Sequence, residues 1–439
     1  VRSLAASFRS SRGLCHFCTE EAADHEGHHA PPAADPKAAR RFALPGTKRV
    51  YERDRPFAIS HIALDLTPSF EARSISGVAR LRVSRVSHDA TTLTLDAVAF
   101  TLHEVLLDGE PVAHVYDDAT LRIDVPRASV LFDVTVRYEA TPKRGLYFLA
   151  PDEHVRDRPR QIWSQCQDED ARHWFPCHDK PHVKQTTELR VRVPKGLFAL
   201  SNGKLVERKD DATTTSFAYA QEQPHPSYLV TLVVGEFVEL TAEAHTRVPV
   251  TYLVPPGRDA DGRRTFARTP DMIRLFEEKT GVSYPYAKYA QIVVSDFIFG
   301  GMENTSATTM YEHILLDERA VLDVDMDGLV AHELAHQWFG DYVTCRDWSE
   351  GWLNEGWATY MELVWKEEAK PGKDRPYDVF GRDEYDYAVK GELDIYLGED
   401  GGRYRRPIVC RDYEQPIDLF DRHLYQKGGL VLHVLRRTL

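Results

Sequence analysis

Two imidazoles four residues apart and a carboxylate further along the chain can meet at one point only if the chain builds a helix, leaves it and returns on another element. His332-Glu333-Leu334-Ala335-His336, followed by Asn354-Glu355-Gly356, sets that demand. Residues at i and i+4 share one helix face, so His332 and His336 can both turn a ring nitrogen to a single Zn²⁺ while Glu333 points beside them. The local sequence supports the helix: Leu329, Val330, Leu334 and Phe339 interleave with the ligands, Asp327 is a candidate N-cap, and Gly340 suits the C′ stop. Glu355 then returns as the third ligand. A set of three, His332, His336 and Glu355, leaves the fourth zinc position open to water, as a catalytic site requires, and makes Glu333 the candidate general base.

Around this stretch the chain is ordinary globular protein. Of its 439 residues 42% are hydrophobic and 28% charged, enough for two to four domains. A net charge of −13 argues against a nucleic-acid surface and is compatible with substrates that carry a positive amino group. No apolar run approaches the roughly 18 residues of a membrane span. The longest sheet-like one, Tyr228 to Val234, reads as a buried strand. Six cysteines in so long a chain are not a disulfide framework, so a reducing, cytoplasmic location is expected.

Residues 1–45 read as a disordered tail. Arg2, Arg9 and Arg12 with four serines and no acid in the first 19 residues resemble a transit peptide loosely, and Pro31-Pro32-Ala33-Ala34 reads as a linker. Cys15, Cys18, His25 and His29 have the residue types of a small metal knuckle, but the segment lacks a core, and incidental ligands on a tail are the expectation.

From 46 to 240 the pattern is strand and turn. Ile59 to Leu66 and Val78 to Val86 alternate apolar with polar residues, and Asp108-Gly109 and Asn202-Gly203 are hairpin signals. This predicts a β-sandwich-like domain. Ser164-Gln165-Cys166-Gln167 and Trp174-Phe175-Pro176-Cys177 lie inside it, and composition alone reads them as a solvated loop between aromatics. From 241 to 439 the pattern becomes mixed α and β. Thr265 to Thr280 reads as an amphipathic helix, Ala290 to Val294 as a strand, and Gly300-Gly301-Met302-Glu303-Asn304 as a glycine-opened edge. A peptide could lie on that edge by β-augmentation, with Glu303 at its end. Five of the seven tryptophans, Trp338, Trp348, Trp352, Trp357 and Trp365, read as packing around the site.

SQCQ at 164–167, WFPC at 174–177, GGMEN at 300–304, HELAHQWFGD, WLNEGWATY and YQKGG at 425–429 follow one another in the order seen in gluzincin aminopeptidases. Over roughly residue 50 to the end, the chain resembles the metallo-aminopeptidase family that includes aminopeptidase N and leukotriene epoxide hydrolase. The resemblance implies a saddle-like N-terminal β domain followed by a thermolysin-like zincin catalytic domain. That catalytic domain would be incomplete, since the chain stops 14 residues after Tyr425 and the family's C-terminal helical domain would be absent.

Residue by residue, the resemblance implies His332, His336 and Glu355 as ligands of one Zn²⁺, Glu333 as general base and Tyr425 as transition-state donor. Gly300, Gly301, Met302, Glu303 and Gln167 would bind substrate, with Glu303 and Gln167 holding its free amine. The implied activity is a zinc-dependent release of N-terminal residues from peptides by metal-activated water. A catalytically inactive scaffold and a bifunctional epoxide hydrolase are the alternatives within the same resemblance.

Overall fold

The computed structural model describes residues 41–244, 246–371 and 379–439. Most of the expected tail, with the Cys15, Cys18, His25 and His29 group, lies outside the described residues. Residues 41–45 are placed: Arg41 bridges to Arg405, and the Phe42 ring lies 5.3 Å from that of Tyr404.

Alternating strands build the first half. Their main sheet has eight strands in the order Lys204–Asp210, Thr214–Pro226, Lys184–Pro194, Phe57–Ser69, Ser74–Arg85, Leu131–Ala140, Phe100–Leu107 and Glu110–Pro111. A bulge between Ile59 and His61 lets Ile59 and Ile62 both face the core, after which Leu64 and Leu66 keep the strict period of two. Asp108-Gly109 closes a two-residue hairpin between Leu107 and Glu110, both turn residues at positive φ. A three-stranded sheet, Thr92–Asp96, Thr120–Asp124 and His114–Tyr116, lies alongside.

The second hairpin signal takes a different course. Phe198–Ser201 pairs with Leu232–Gly235 in a four-stranded sheet, whereas Lys204–Asp210 pairs with Thr214–Pro226 in the large one, so Asn202-Gly203 hands the chain from sheet to sheet. Gly203 sits at φ +74° with Ala220 O only 2.0 Å from where a Cβ would stand, a conformation and a space that admit only glycine. The stretch Tyr228 to Val234 is also divided: Ser227–Leu229 forms a 3₁₀ turn and the strand is Leu232–Gly235. Burial is complete through both, so the apolar run records burial and not strand length.

The second half centres on a five-stranded sheet, ordered Val238–Thr241, Val250–Val254, Tyr289–Val294, Ala307–Tyr311 and Gly301–Met302. Its middle three strands are parallel. Helices α1 (Asp259–Phe266) and α2 (Thr269–Thr280) form the crossover between the first two of these. The single helix expected over 265–280 is thus broken at Ala267-Arg268. Pro270 has no N–H to continue a helix and instead occupies the first turn of α2. Among the described residues four further α-helices follow: α3 (Asp327–Ala335), α4 (Trp352–Glu368), α5 (Arg382–Gly402) and α6 (Gln426–Thr438). Among the described residues no helix is long and apolar enough to cross a membrane.

The halves are joined by buried hydrogen bonds. Asn202 Nδ2 donates to Thr305 O at 2.8 Å, and Gly203 N donates to Ser306 Oγ at 2.7 Å. Trp163 Nε1 reaches Ser295 O at 3.1 Å. The joints touch the strand that carries Gln165 and the loop that carries Glu303, so both arrive at one place.

Candidate active site

All nine residues of α3 are buried, which explains why its apolar pattern has no polar face. Met326 occupies the N-cap position in place of Asp327. Asp327 begins the helix, with its N–H on Asp325 Oδ1 at 2.8 Å and its carboxylate 3.5 Å from buried Arg268. Regular helix ends at Ala335 with His336 as its cap residue, earlier than a stop at Gly340 requires. Gly340, at φ +132°, closes the turn that follows, and a Cβ there would stand 2.9 Å from His336 Nδ1.

The ligand atoms converge. His332 Nε2 and His336 Nε2 are 3.1 Å apart, and Glu355 Oε2 on α4 lies 3.3 and 3.1 Å from them. Each Nδ1 is already engaged, that of His332 with Glu362 Oε1 at 2.7 Å and that of His336 with Phe339 O at 2.9 Å. A proton on each Nδ1 leaves each Nε2 a bare lone pair, so two lone pairs and a carboxylate oxygen face one another in a buried space. Such a set repels itself unless a cation sits between its members. A tetrahedral ion with bonds of about 2.0–2.1 Å holds its ligand atoms roughly 3.3 Å apart, close to the separations here. The residues therefore fit Zn²⁺.

The same charges set the proton affinities. Both imidazoles are pushed above their usual range: burial opposes the shift, but carboxylates, Glu355 foremost, outweigh it. Glu355 is held at about 2, burial being overcome by the charge of His336 and the hydrogen bonds from both rings. Glu303 moves the other way, to about 7, because burial and the nearby Glu355 charge outweigh the attraction of His336.

Glu333, Glu303, Gly301, Gln167 and Tyr425 line the same small cavity as the three ligands, with Phe299, Ile417 and Phe420 as its apolar wall. Gly301–Met302 is the outer strand of its sheet, antiparallel to Ala307–Tyr311. Gly301 lies against the Glu333 carboxyl so closely that a Cβ would stand 2.3 Å from Oε1. Met302 is turned into the core, Gly300 accepts from Tyr311 N at 3.1 Å, and neither lines the cavity. Gln167 Nε2 donates to Glu303 Oε1 at 3.2 Å and to Glu355 Oε1 at 3.1 Å, bridging a would-be ligand and a would-be substrate anchor. The loop that composition reads as solvated is thus part of the site. Tyr425 stands at the head of α6, its ring 6.0 Å from that of His332.

Residues 51–229 match the Peptidase M1 N-terminal domain, and 264–439 match the Peptidase family M1 domain. The chain belongs to the M1 peptidase family. It is 28% identical over 376 residues to leucyl aminopeptidase of Saccharolobus solfataricus, covering 84% of this chain and 45% of that protein. It is 29% identical over 418 residues to aminopeptidase N of Streptomyces lividans, covering 89% and 46%. The chain spans about half the length of the curated relatives it matches. Among solved structures, native yeast LTA4 hydrolase superposes with a TM-score of 0.72 at 25% identity, over 87% of this chain and 59% of that one. The M1 zinc metallopeptidase of Deinococcus radiodurans does so with 0.68 at 25% identity, over 87% and 82%.

Two residues of this M1 site escape sequence reasoning. Glu362, which fixes the His332 ring, lies seven residues after Glu355 on one face of α4, a spacing that could have flagged it. Gln337 accepts from Ser306 N at 2.8 Å and donates to Glu303 O at 3.1 Å, so the turn that follows α3 directly after His336 clamps the Glu303 loop. No local signal marks that residue. Trp338, Trp348 and Trp365 are packed into the core, and Trp357 stacks on Phe339 at 4.5 Å.

Proposed function

We propose that this chain is the catalytic part of a zinc-dependent aminopeptidase that releases N-terminal residues from peptides with a free amino group. The observation that carries the reading is the convergence of two imidazole Nε2 atoms and a carboxylate beside a second carboxylate, Glu333, with a third, Glu303, in the same cavity. His332, His336 and Glu355 would hold the metal. Bound there, Zn²⁺ would supply Lewis acidity that brings the pKa of a water toward neutrality.

The chain's own groups do the rest. Glu333 takes the proton from the attacking water and returns it to the departing amine. The Tyr425 phenol donates to the oxyanion that grows on the substrate carbonyl, a preorganised contact worth about 3 kcal/mol. The peptide adds as a strand along the Gly301–Met302 edge, and Gly300 and Met302 shape that edge from behind. Glu303, steadied by Gln167, accepts the substrate ammonium, so a chain with a blocked N-terminus leaves a buried carboxyl unpaired and binds poorly.

The division into a β unit over 46–240 and a catalytic unit over 241–439 belongs to the same proposal. So does a cytoplasmic location, which the four described cysteines, all buried and unpaired, support.

The test compares a free and an N-acetylated peptide on the parent and on Glu303→Ala, with zinc measured in both. The expected result is about one zinc per chain, resistance of the acetylated peptide, and a loss of roughly 30- to 1000-fold in kcat/KM for the free peptide in the variant. Cleavage of the acetylated peptide by the parent would leave a generic zinc protease in place of an aminopeptidase.

A further inference from the structure

Behind Tyr425 lies a buried charge cluster that the reaction does not use. Arg406, its side chain 1% exposed, forks both oxygens of Asp421, Nε to Oδ2 at 2.7 Å and Nη2 to Oδ1 at 2.6 Å. Its remaining hydrogen bonds go to backbone: Nη2 to Leu419 O at 2.8 Å, and Nη1 to Pro407 O at 3.1 Å and Ile408 O at 3.3 Å. Asp421 Oδ1 also accepts the N–H groups of His423 at 2.9 Å and Leu424 at 3.0 Å, while Asp421 O accepts those of Leu424 at 3.0 Å and Tyr425 at 3.2 Å. One side chain therefore ties down a single turn, 421–424, and the next residue is Tyr425, which lines the cavity of the metal ligands.

The cluster also contains a possible cation-binding group, Glu399, Asp421 and His423. The guanidinium already fills that part. His423 Nδ1 lies 3.4 Å from both Glu399 and Asp421, its Nε2 is 3.3 Å from Asp400, and both oxygens of Asp421 are engaged by Arg406. A second ion would have to share Asp421 with a guanidinium in contact with it.

A buried ion pair is a poor source of stability, because desolvation cancels most of its attraction. What a bidentate fork supplies is a fixed orientation, which a lysine in the same place cannot give. The Tyr425 ring is bounded on one side by His332 at 6.0 Å and on another by Phe420 at 6.5 Å, so its place over the ligands depends on where its backbone is held. We propose that Arg406 is a positioning residue: its fork on Asp421 sets the 421–424 turn and thereby the reach of the Tyr425 phenol to the reacting carbonyl. This rests on the role proposed above for Tyr425.

The test is a double-mutant cycle in the full zinc-loaded chain. Arg406→Lys, which keeps the charge and loses the fork, is made in the parent and in Tyr425→Phe, and kcat, KM, zinc content and affinity for a phosphinic dipeptide are measured. In the parent, Arg406→Lys should lower kcat about tenfold or more and weaken the phosphinic analogue by a similar factor, with KM within about twofold and zinc retained. In the Tyr425→Phe background the same change should cost less than about twofold. Equal losses in both backgrounds would overturn the proposal, showing that Arg406 acts on the fold at large. A Tyr425→Phe variant with parental kcat would overturn it differently, by removing the role of Tyr425 itself. Should Arg406→Lys fail to fold, Asp421→Asn in the same cycle gives the same decision. A second zinc in the parent that is lost in His423→Gln would also overturn it, since an ion and not the guanidinium would then organise the turn.

Discussion

Replacing Gly301 by alanine should cripple catalysis without touching the metal. A Cβ at this position would stand 2.3 Å from Glu333 Oε1, 2.4 Å from its Cδ and 2.6 Å from its Cγ. Gly301 is not among the glycines at positive φ, so the cost is a collision and not backbone strain. Ordinary contact between such atoms begins near 3.4 Å, so the carboxyl and the strand must part by about 1 Å. Glu333 is buried and rises from a helix packed on all sides, which leaves it few ways to yield without turning from the attacking water. A misplacement of about 1 Å costs on the order of 100-fold, close to 3 kcal/mol in the barrier. The assay is kcat and KM on leucine p-nitroanilide, with zinc determined by atomic emission. The expected result is a fall of about 100-fold carried by kcat, with one zinc per chain. A clash with the incoming peptide strand would instead raise KM. A variant with full zinc and kcat within about threefold of the parent would refute the placement of Glu333 as base.

Two further outcomes follow from buried neighbours of the site. Glu362→Gln keeps the shape but weakens the bond that orients His332, so zinc affinity should fall roughly 10- to 100-fold in a competition with a chelator, and unchanged affinity would dismiss the role. For His423, burial lowers the pKa, but the carboxylates of Asp421 and Glu399, each 3.4 Å from Nδ1, outweigh it and raise the group to about 9. The unfolded value is near 6.5, so the folded state binds the proton more tightly. Its contribution is complete below pH 6.5 and fades as pH rises through 9. The thermal midpoint of the parent should drop between those values more steeply than that of His423→Gln, and parallel curves would contradict the assignment.

What the sequence determined by itself is what nearest neighbours along the chain determine. The spacing of His332 and His336 places both rings on one face because a helix has only one way to do so. Alternation over Ile59 to Leu66 fixes a half-buried strand, and Asp108-Gly109 closes the hairpin drawn from it. Family motifs carry Gln167 and Tyr425 into the site, where composition would have left them as a loop residue and a structural tyrosine before a helix.

Tertiary structure decided the rest. Asn202-Gly203 has the same turn chemistry as Asp108-Gly109, yet its flanking strands pair with partners in two different sheets, a choice made by distant packing. The run from Tyr228 to Val234 is apolar because it is buried, and nothing local says that it begins in a 3₁₀ turn. Glu362, Gln337 and Arg406 matter through atoms 30, 34 and 15 residues away in sequence. Periodicity and turn propensity are free energies of a few bonded residues. Which carboxylate meets which imidazole is settled only when the whole chain has buried its apolar surface and paired what it took out of water.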